Sequence, residues 1–188
     1  MTRQILVGNV PIGGGAPVSI QSMLNTPTTD VEGSLRQLRE LAAAGCQIAR
    51  LAVPDREAAA GFREIVKESP LPLVADIHFD YRLAIAAAEA GAAKIRINPG
   101  NMQTSQLDVV LDCAKAHNVP IRIGVNGGSL SKAAIERAQN GQLDGLTAQI
   151  TDKKLDNSAK LRVAALADSV AEYVRYFETR NFCDIVLS

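Results

Sequence analysis

Apolar and polar positions along this chain alternate with two distinct periods. Short β-branched runs, typical of buried strands, are followed by alanine- and leucine-rich stretches with apolar residues every three or four positions. Such alternation predicts repeated βα units around a parallel sheet. Six runs are the predicted strands, the last of them at the C-terminal end of the sequence: 17–20, 48–53, 73–77, 94–98, 121–125 and 184–187.

Helix boundary signals separate the predicted strands. Residues 29–32 form a capping-box pattern that begins at Thr29 and precedes an apolar stretch at helical spacing, and Gly45 stands where a C-terminal glycine is expected. Asp55 and Asp80 predict the N-caps of two further helices. Each of these helices is expected to end where the next strand begins.

Three segments complete the predicted organisation. Residues 5–15 form a strand, a glycine-rich turn and a returning strand, which predicts a hairpin that plugs one end of the structure. Residues 131–156 are polar with weak periodicity, and we interpret them as an excursion or lid. Apolar residues spaced by three and four over 163–177 predict a long amphipathic helix that packs on the sheet.

Repeated βα units occur in doubly wound sheets and in (β/α)8 barrels. The central strands of a doubly wound sheet are buried on both faces and consist of continuous apolar residues. Here charged residues stand inside otherwise apolar strands, which favours the barrel. The predicted fold is therefore α/β, a (β/α)8 TIM-barrel type that is incomplete, with about six βα units and an N-terminal hairpin. We expect one partial-barrel domain over residues 1–188.

Arginines stand near the centres of three predicted strands: Arg50, Arg96 and Arg122. Side chains alternate between the two faces of a strand, and the apolar set must meet the helices. The arginines are therefore expected to face the barrel interior, near the C-terminal mouth where barrel enzymes keep their sites. Asp76 and His78 alternate in the same way and are predicted to face the same cavity.

A guanidinium stays charged in proteins, and burying it without a partner is costly. One interpretation is that Asp76 and neighbouring acids form internal salt bridges with the arginines. Three converging arginines against one strand-borne acid favour the other interpretation, an anionic ligand with more than one negative charge. Several planar guanidinium groups, each with paired N–H donors, suit the oxygens of a diphosphate. Asn98 and Asn126 are expected to add hydrogen bonds, and the glycine-bearing turns at 98–101 and 124–129 allow backbone amides to approach the anion.

Other chemistry is weakly indicated. Asp76 and His78 form half of a metal site, but His117 is the only other histidine and stands in a predicted helix-to-strand turn. We therefore predict no metal ligands. His78 is interpreted as a general acid, a hydrogen-bond donor to the ligand or a satisfied core histidine. The catalytic residues remain unassigned.

Composition excludes several partner classes. Twenty basic residues balance 20 acidic ones, and only 4% of residues are aromatic, which argues against nucleic-acid binding. No apolar run approaches the ~20 residues of a membrane span, and the N-terminus lacks a signal-peptide stretch. We expect a cytoplasmic protein with no membrane partner. The three widely spaced cysteines are expected to be buried and reduced: Cys46, Cys113 and Cys183.

Six motifs in the first 130 residues closely resemble the 4-hydroxy-3-methylbut-2-enyl diphosphate synthase family. The match runs nearly continuously from residue 3 to about residue 130. The motifs are GNVPIGG at 8–14, SIQSM at 19–23, VPD at 53–55, ADIHFDYR at 75–82, RINPGN at 96–101 and PIRIGVNGGSL at 120–130.

The resemblance implies an iron–sulfur oxidoreductase of the methylerythritol phosphate route to isoprenoids, which reductively opens 2-C-methyl-erythritol 2,4-cyclodiphosphate. It implies that an N-terminal barrel binds the diphosphate through arginines, carried over here to Arg50, Arg96 and Arg122, with Asn126 as a further contact. Asn98, Asp76 and His78 complete the expected substrate site.

The resemblance also implies a 4Fe–4S cluster held by three cysteines and a glutamate of a C-terminal domain, which is absent from this sequence. None of the three cysteines falls in a cluster motif of the family, so we assign no cluster ligation to this chain. Further implied partners are a second copy of the full-length enzyme, and flavodoxin or ferredoxin as reductant. We expect a truncated chain or gene fragment that binds substrate and is inactive alone.

Two alternatives stay open at this point. One is another anion-binding barrel enzyme, such as a dihydropteroate-synthase-like transferase, whose βα units look generically similar. The other is a non-catalytic half-barrel whose open sheet edges pair in a homodimer, leaving the arginines to pair with acids at the interface.

Overall fold

A computed structural model of the chain describes residues 2–128, 130, 132–152 and 154–188. Strands and helices alternate through most of these residues. The strands are β1 (Ile5–Val7), β2 (Val10–Ile12), β3 (Gln21–Met23), β4 (Ile48–Ala52), β5 (Leu73–Asp76), β6 (Lys94–Ile97), β7 (Ile121–Ile123) and β8 (Ile185–Leu187). The helices are α1 (Val31–Ala43), α2 (Arg56–Glu68), α3 (Tyr81–Glu89), α4 (Thr104–Ala116), α5 (Lys132–Gln139), α6 (Asp144–Thr147) and α7 (Asn157–Thr179).

Six strands form one parallel sheet in the order β3-β4-β5-β6-β7-β8. Each strand is paired with the strand that follows it along the chain, and helices connect them. A doubly wound sheet would instead reverse its strand order at a switch point. The sheet is therefore a curled half-barrel, and the predicted incomplete TIM-barrel type is confirmed.

The first strand of this sheet lies further along the chain than predicted. Residues 17–20 are not a strand, and Val18 and Ile20 have exposed side chains. Pairing begins at Gln21, which is opposite Ile48. The β-branched pattern of 17–20 was misleading because no neighbouring strand covers those side chains, and strand structure depends on such packing.

The predicted N-terminal hairpin is confirmed. Strands β1 and β2 pair antiparallel, with Ile5 opposite Ile12. Val7 is buried in a cluster with Ile48 and Val74, which stand at the N-terminal ends of β4 and β5. The hairpin thus closes the end of the half-barrel opposite the mouth.

The predicted N-caps Asp55 and Asp80 are present, and α1 is capped by Asp30, one residue after the Thr29 at which the capping-box pattern begins. Asp30 accepts a hydrogen bond from the backbone N–H of the third residue beyond it, as does Asp55. Asp80 accepts from the N–H of Arg82. Gly45 follows α1 with a φ of +86°, a conformation that glycine adopts without strain. The caps fix where each helix begins beyond its strand.

The main core lies between the sheet and its helices. The apolar alternate residues of the central strands point outward to the helices, so the opposite positions are left for the inner face. The largest fully buried side chains of this core include Leu38, Leu51, Phe62, Ile95, Ile97, Leu111, Ile121 and Phe177.

The predicted excursion is a helical layer on α7. Helices α5 and α6 both pack against α7, and Leu143 is buried with Ala164 and Ala165. Ser131 and Lys153, which belong to the predicted segment, lie outside the described residues. Helix α7 itself begins before and ends after the predicted 163–177. None of the helices in the described ranges combines the length and apolar character that a membrane-spanning helix requires.

Candidate anion-binding site

Strand register brings the predicted charged residues together on the inner face of the half-barrel. Asp76, Arg96 and Arg122 are opposite one another on β5, β6 and β7. Arg50 lies in the next row of inward-facing residues toward the hairpin, and Lys94 lies in the same row. We call these five residues the cationic layer, which consists of the acid Asp76 and the four basic residues Arg50, Lys94, Arg96 and Arg122.

Asp76 links the predicted side chains. Its carboxylate is almost fully buried, and Oδ1 lies 3.3 Å from Nη1 of Arg96. Its Oδ2 lies 3.7 Å from Nε of Arg50 and 3.8 Å from Nε2 of His78. One carboxylate is therefore shared among three neighbours, so the predicted internal salt bridges exist but do not balance the charge of the layer.

Arg122 carries the clearest unmet requirement. Its Nε is buried and has no hydrogen-bond partner among the described residues. Burial lowers the pKa of this guanidinium, and the charges of Arg50 and Arg96 lower it further. A cation in this position is stabilised by an anion placed between the arginines.

Lys94 belongs to the layer but was missed by the sequence analysis. Its side chain is 1% exposed, and Nζ donates to Oε1 of Gln21 over 3.3 Å. Burial lowers its pKa to about 8, with further lowering by the charges of Arg122 and Arg50. The signal was present in the sequence, since Lys94 stands two residues before Arg96 and so faces the same side of β6.

Gly124, predicted as part of the glycine-bearing turn at 124–129, has a further role that was not predicted. A Cβ at this position would lie 2.5 Å from Nε and 2.6 Å from Nη2 of Arg96. The guanidinium of Arg96 therefore rests on the backbone of the residue that follows β7. Gly124 is the inward-facing position after Arg122, and its missing side chain makes room for the arginine of the neighbouring strand.

The predicted asparagines shape the turns at the mouth. The side-chain oxygen of Asn98 accepts from the N–H of Gly100 over 3.2 Å, and Asn98 is buried. The side-chain oxygen of Asn126 accepts from the N–H of Gly128 over 3.0 Å. Their direct contact with a ligand stays a prediction. Ser129, the last residue of the predicted turn, lies outside the described residues.

His78 is partly exposed at the mouth rather than enclosed in the core. Its Nδ1 lies 3.4 Å from Nη1 of Arg96, and its backbone carbonyl accepts from Nδ2 of Asn101 over 2.9 Å. Because the ring is open to solvent on one side, the interpretation as a satisfied core histidine is not supported. A hydrogen-bonding role toward a ligand fits this position.

The cysteines do not form a metal site in the described part of the chain. No three His, Cys, Asp or Glu side chains gather there around a common point. Cys46 is buried as predicted, and its Sγ donates to the carbonyl of Ile48 over 3.1 Å. The expectation of burial is wrong for Cys183, which is exposed, and only partly met for Cys113. These residues do not fit an iron–sulfur cluster.

The fold and the inner face together define a class, the TIM-barrel-type α/β domains with a polar mouth lined by strand-borne residues. Comparison with protein families is consistent with this class and narrows it. The family model described as the GcpE TIM-barrel domain matches residues 2–188. The chain belongs to the GcpE family, which confirms the resemblance recognised from the sequence motifs.

Curated relatives carry one name, 4-hydroxy-3-methylbut-2-en-1-yl diphosphate synthase (flavodoxin). The protein of Maridesulfovibrio salexigens is 47% identical over all 188 residues, which cover 47% of its own length. That of a Marinomonas species is 53% identical over 188 residues, or 45% of its length. The chain therefore spans about half the length of the curated relatives it matches.

Solved structures agree with the fold. A truncated 3-deoxy-D-arabino-heptulosonate 7-phosphate synthase from Thermotoga maritima is similar over 99% of this chain and 56% of its own, with a TM-score of 0.56 and 16% identity. Dihydropteroate synthase from Stenotrophomonas maltophilia is similar over 99% of this chain and 76% of its own, with a TM-score of 0.53 and 16% identity. At this identity the likeness shows the barrel-type fold alone and does not favour the dihydropteroate-synthase alternative.

Proposed function

We propose that this chain is the substrate-binding part of a 4-hydroxy-3-methylbut-2-enyl diphosphate synthase, and that its inner face binds 2-C-methyl-erythritol 2,4-cyclodiphosphate. Family membership supports the reaction class. The single observation that carries the site is the buried Nε of Arg122, which lacks a partner among the described residues while two further arginines stand beside it.

The proposed roles follow from position. Arg50, Arg96 and Arg122 hold the phosphate oxygens, because guanidinium donors suit phosphate geometry. Asp76 fixes the directions of Arg50 and Arg96 through its shared carboxylate. His78 donates a hydrogen bond at the mouth.

The turns complete the proposed site. Asn98 and Asn126 hold the chain at the ends of β6 and β7, so that backbone N–H groups there approach the anion. This arrangement binds and orients a doubly charged ligand, and it leaves the carbon skeleton facing the open mouth.

Electron supply belongs to the rest of the proposed enzyme. The resemblance implies a 4Fe–4S cluster, which would supply electrons for the reduction of the substrate. Because the cysteines of this chain do not fit such a cluster, we assign no step of that chemistry to its residues. The name that the relatives share supports flavodoxin as the reductant. We propose a homodimeric, cytoplasmic full-length enzyme, with residues 1–188 as its partial-barrel domain.

Calorimetric titration with the cyclodiphosphate tests the proposed site. The expected result is saturable binding that is tighter than binding of inorganic diphosphate and that is lost in the double variant Arg96→Ala, Arg122→Ala. A matched control is Arg36→Ala, Arg39→Ala, which removes the same charge from exposed positions on α1 and should leave binding intact.

Two outcomes would overturn the proposal. One is the absence of cyclodiphosphate binding by a chain that is folded by circular dichroism. The other is equal loss of binding in both double variants, which would mean that overall charge matters and the inner face does not. Light scattering on the same samples adds a check, since a discrete dimer indifferent to phosphate would instead support the non-catalytic half-barrel.

A further inference from the structure

Lys94 is a buried ionisable group to which the proposed function gives no role. It stands in the cationic layer one inward position below Arg96, opposite Val74 of β5. With 1% of its surface exposed, its amine is shielded from bulk solvent. An ammonium at such a place is normally paired with a carboxylate. Among the described residues, however, no carboxylate lies within salt-bridge distance of Lys94, and Asp76 is engaged by Arg50, Arg96 and His78.

The surroundings of Lys94 disfavour its charge while the site holds no anion. Its hydrogen bond to Gln21 is made with a neutral amide. Strands β1, β2 and β8 contribute no titratable side chain. The polar and charged groups on the inner face around it are, strand by strand, Gln21 on β3, Arg50 on β4, Asp76 on β5, Arg96 on β6 and Arg122 on β7.

We infer that Lys94 is a proton-linked binding residue, which in alkaline solution takes up a proton from solvent when a doubly charged phosphate ligand enters the cationic layer. The inference rests on the proposed function and deepens it. Protons and charge balance on binding. The neutral amine takes one proton from solvent and becomes an ammonium, and the ligand stays a dianion. No bond of the ligand changes.

The proposed coupling has a definite sign with pH. In the ligand-free chain the pKa of Lys94 is about 8, well below the ordinary value for lysine of about 10.4. A bound dianion offsets the repulsion from Arg122 and Arg50, so it raises this pKa. Ligand binding therefore takes up a proton at pH values above about 8. Affinity is expected to fall by up to roughly tenfold per pH unit as the pH rises through this window.

Calorimetry with the cyclodiphosphate at pH 8.5, in buffers of different ionisation enthalpy, counts the protons taken up. This ligand is a suitable probe because each of its phosphorus atoms carries only a strongly acidic hydroxyl, so the ligand itself does not titrate. We expect net uptake by the wild-type chain. Lys94→Met should bind more weakly and show no uptake, and Lys94→Arg should bind with its fixed charge and also show no uptake.

Lys67→Met is the matched control, since Lys67 is exposed and pairs with Glu64 on α2. It should retain the uptake of the wild-type chain. Should both Lys94 variants fail to fold, the wild-type chain labelled with ¹³C at lysine Cε gives the answer by NMR. One lysine resonance should titrate near pH 8 without ligand and at higher pH with ligand.

The outcomes separate the two proposals. Binding of the cyclodiphosphate without proton uptake, or with the same uptake in Lys94→Met, overturns the role of Lys94 and leaves the proposed function standing. The same holds if no lysine resonance moves on ligand addition. Absence of binding overturns the proposed function, and the role of Lys94 falls with it.

Discussion

Salt bridges inside the half-barrel differ from those on its outside. Arg137 lies 2.7 Å from Asp168, and Arg180 lies 2.9 Å from Asp108, distances typical of fully formed charge-assisted bonds. The contacts of Asp76 with Arg96 and Arg50 are 3.3 and 3.7 Å. The arginines of the cationic layer are thus oriented by their carboxylate but keep donor groups for another acceptor. This difference supports a ligand more strongly than the number of arginines does.

Gly124→Ala tests whether the close contact between the Arg96 guanidinium and the backbone of residue 124 matters for ligand binding. The added methyl meets only the end of a flexible side chain, so Arg96 is expected to move and the fold to remain intact. Loss of one charge-assisted hydrogen bond weakens cyclodiphosphate binding by roughly tenfold, measured by calorimetry. Gly145→Ala on α6 is the control, because nothing lies within 4 Å of a Cβ there and the residue is outside the proposed site. Equal affinities of the two variants would contradict this account.

Lys94→Met has an expected effect on stability as well as on binding. Because the pKa of Lys94 is lower in the folded chain than in the unfolded chain, the unfolded state binds more protons above pH 8. Stability of the wild-type chain should therefore rise between about pH 8 and pH 10.4. The variant lacks this term, so it should be the more stable chain at pH 7, with a difference that shrinks as the pH rises. Urea denaturation of both chains at pH 7, 8.5 and 10 measures the difference, and a constant difference would contradict the lowered pKa.

At the scale of elements, caps and alternation were predictable and strand boundaries were less so. Asp55 and Asp80 are local signals, since each bonds within its own helix, and both were correct, whereas the capping-box pattern placed the start of α1 one residue early. The strand at 17–20 was wrong because its β-branched residues carry no information about a partner strand. Alternation placed the arginines, whereas the contact between Gly124 and Arg96 was not predicted because it depends on a side chain of the neighbouring strand.

Gly61→Ala tests the close approach of α2 to the loop before α1. A methyl at position 61 would overlap the backbone carbonyl oxygen of Thr28, which is held in place because the Thr28 hydroxyl donates to the carbonyl of Ala52. Alanine normally stabilises a helix by about 1 kcal/mol relative to glycine. Here the backbone must shift, and we expect a net loss of about 1 kcal/mol or more in urea denaturation.

Gly145→Ala provides the comparison for this helix contact. Gly145 lies in α6, and nothing stands within 4 Å of a Cβ added there. The substitution should leave the free energy of unfolding unchanged or raise it slightly, because only helix propensity changes. A stabilised Gly61→Ala variant would show that α2 does not pack as closely as described.

At the scale of the whole molecule, the chain has unequal cores. The main core joins the sheet to α1–α4 and the C-terminal part of α7, where Phe177 is fully buried. Leu143, Ala164 and Ala165 form a separate small cluster beneath α5 and α6. Local stability follows the amount of apolar surface that is buried, so these two helices are expected to open without unfolding the sheet.

Hydrogen exchange followed by mass spectrometry tests this division. Amides of α5 and α6 should exchange faster than those of β4–β7 and of the end of α7 near Phe177, because the small cluster protects them less. Arg137→Ala removes the bonds from α5 to Asp168 and Glu172 and should accelerate exchange in α5 alone. Cyclodiphosphate should slow exchange around Arg96 and Arg122 without changing α5, because the helical layer packs on α7 and the cationic layer lies on the inner face. Protection of α5 by the ligand would instead mean that the helical layer of α5 and α6 closes over the mouth, as a lid would.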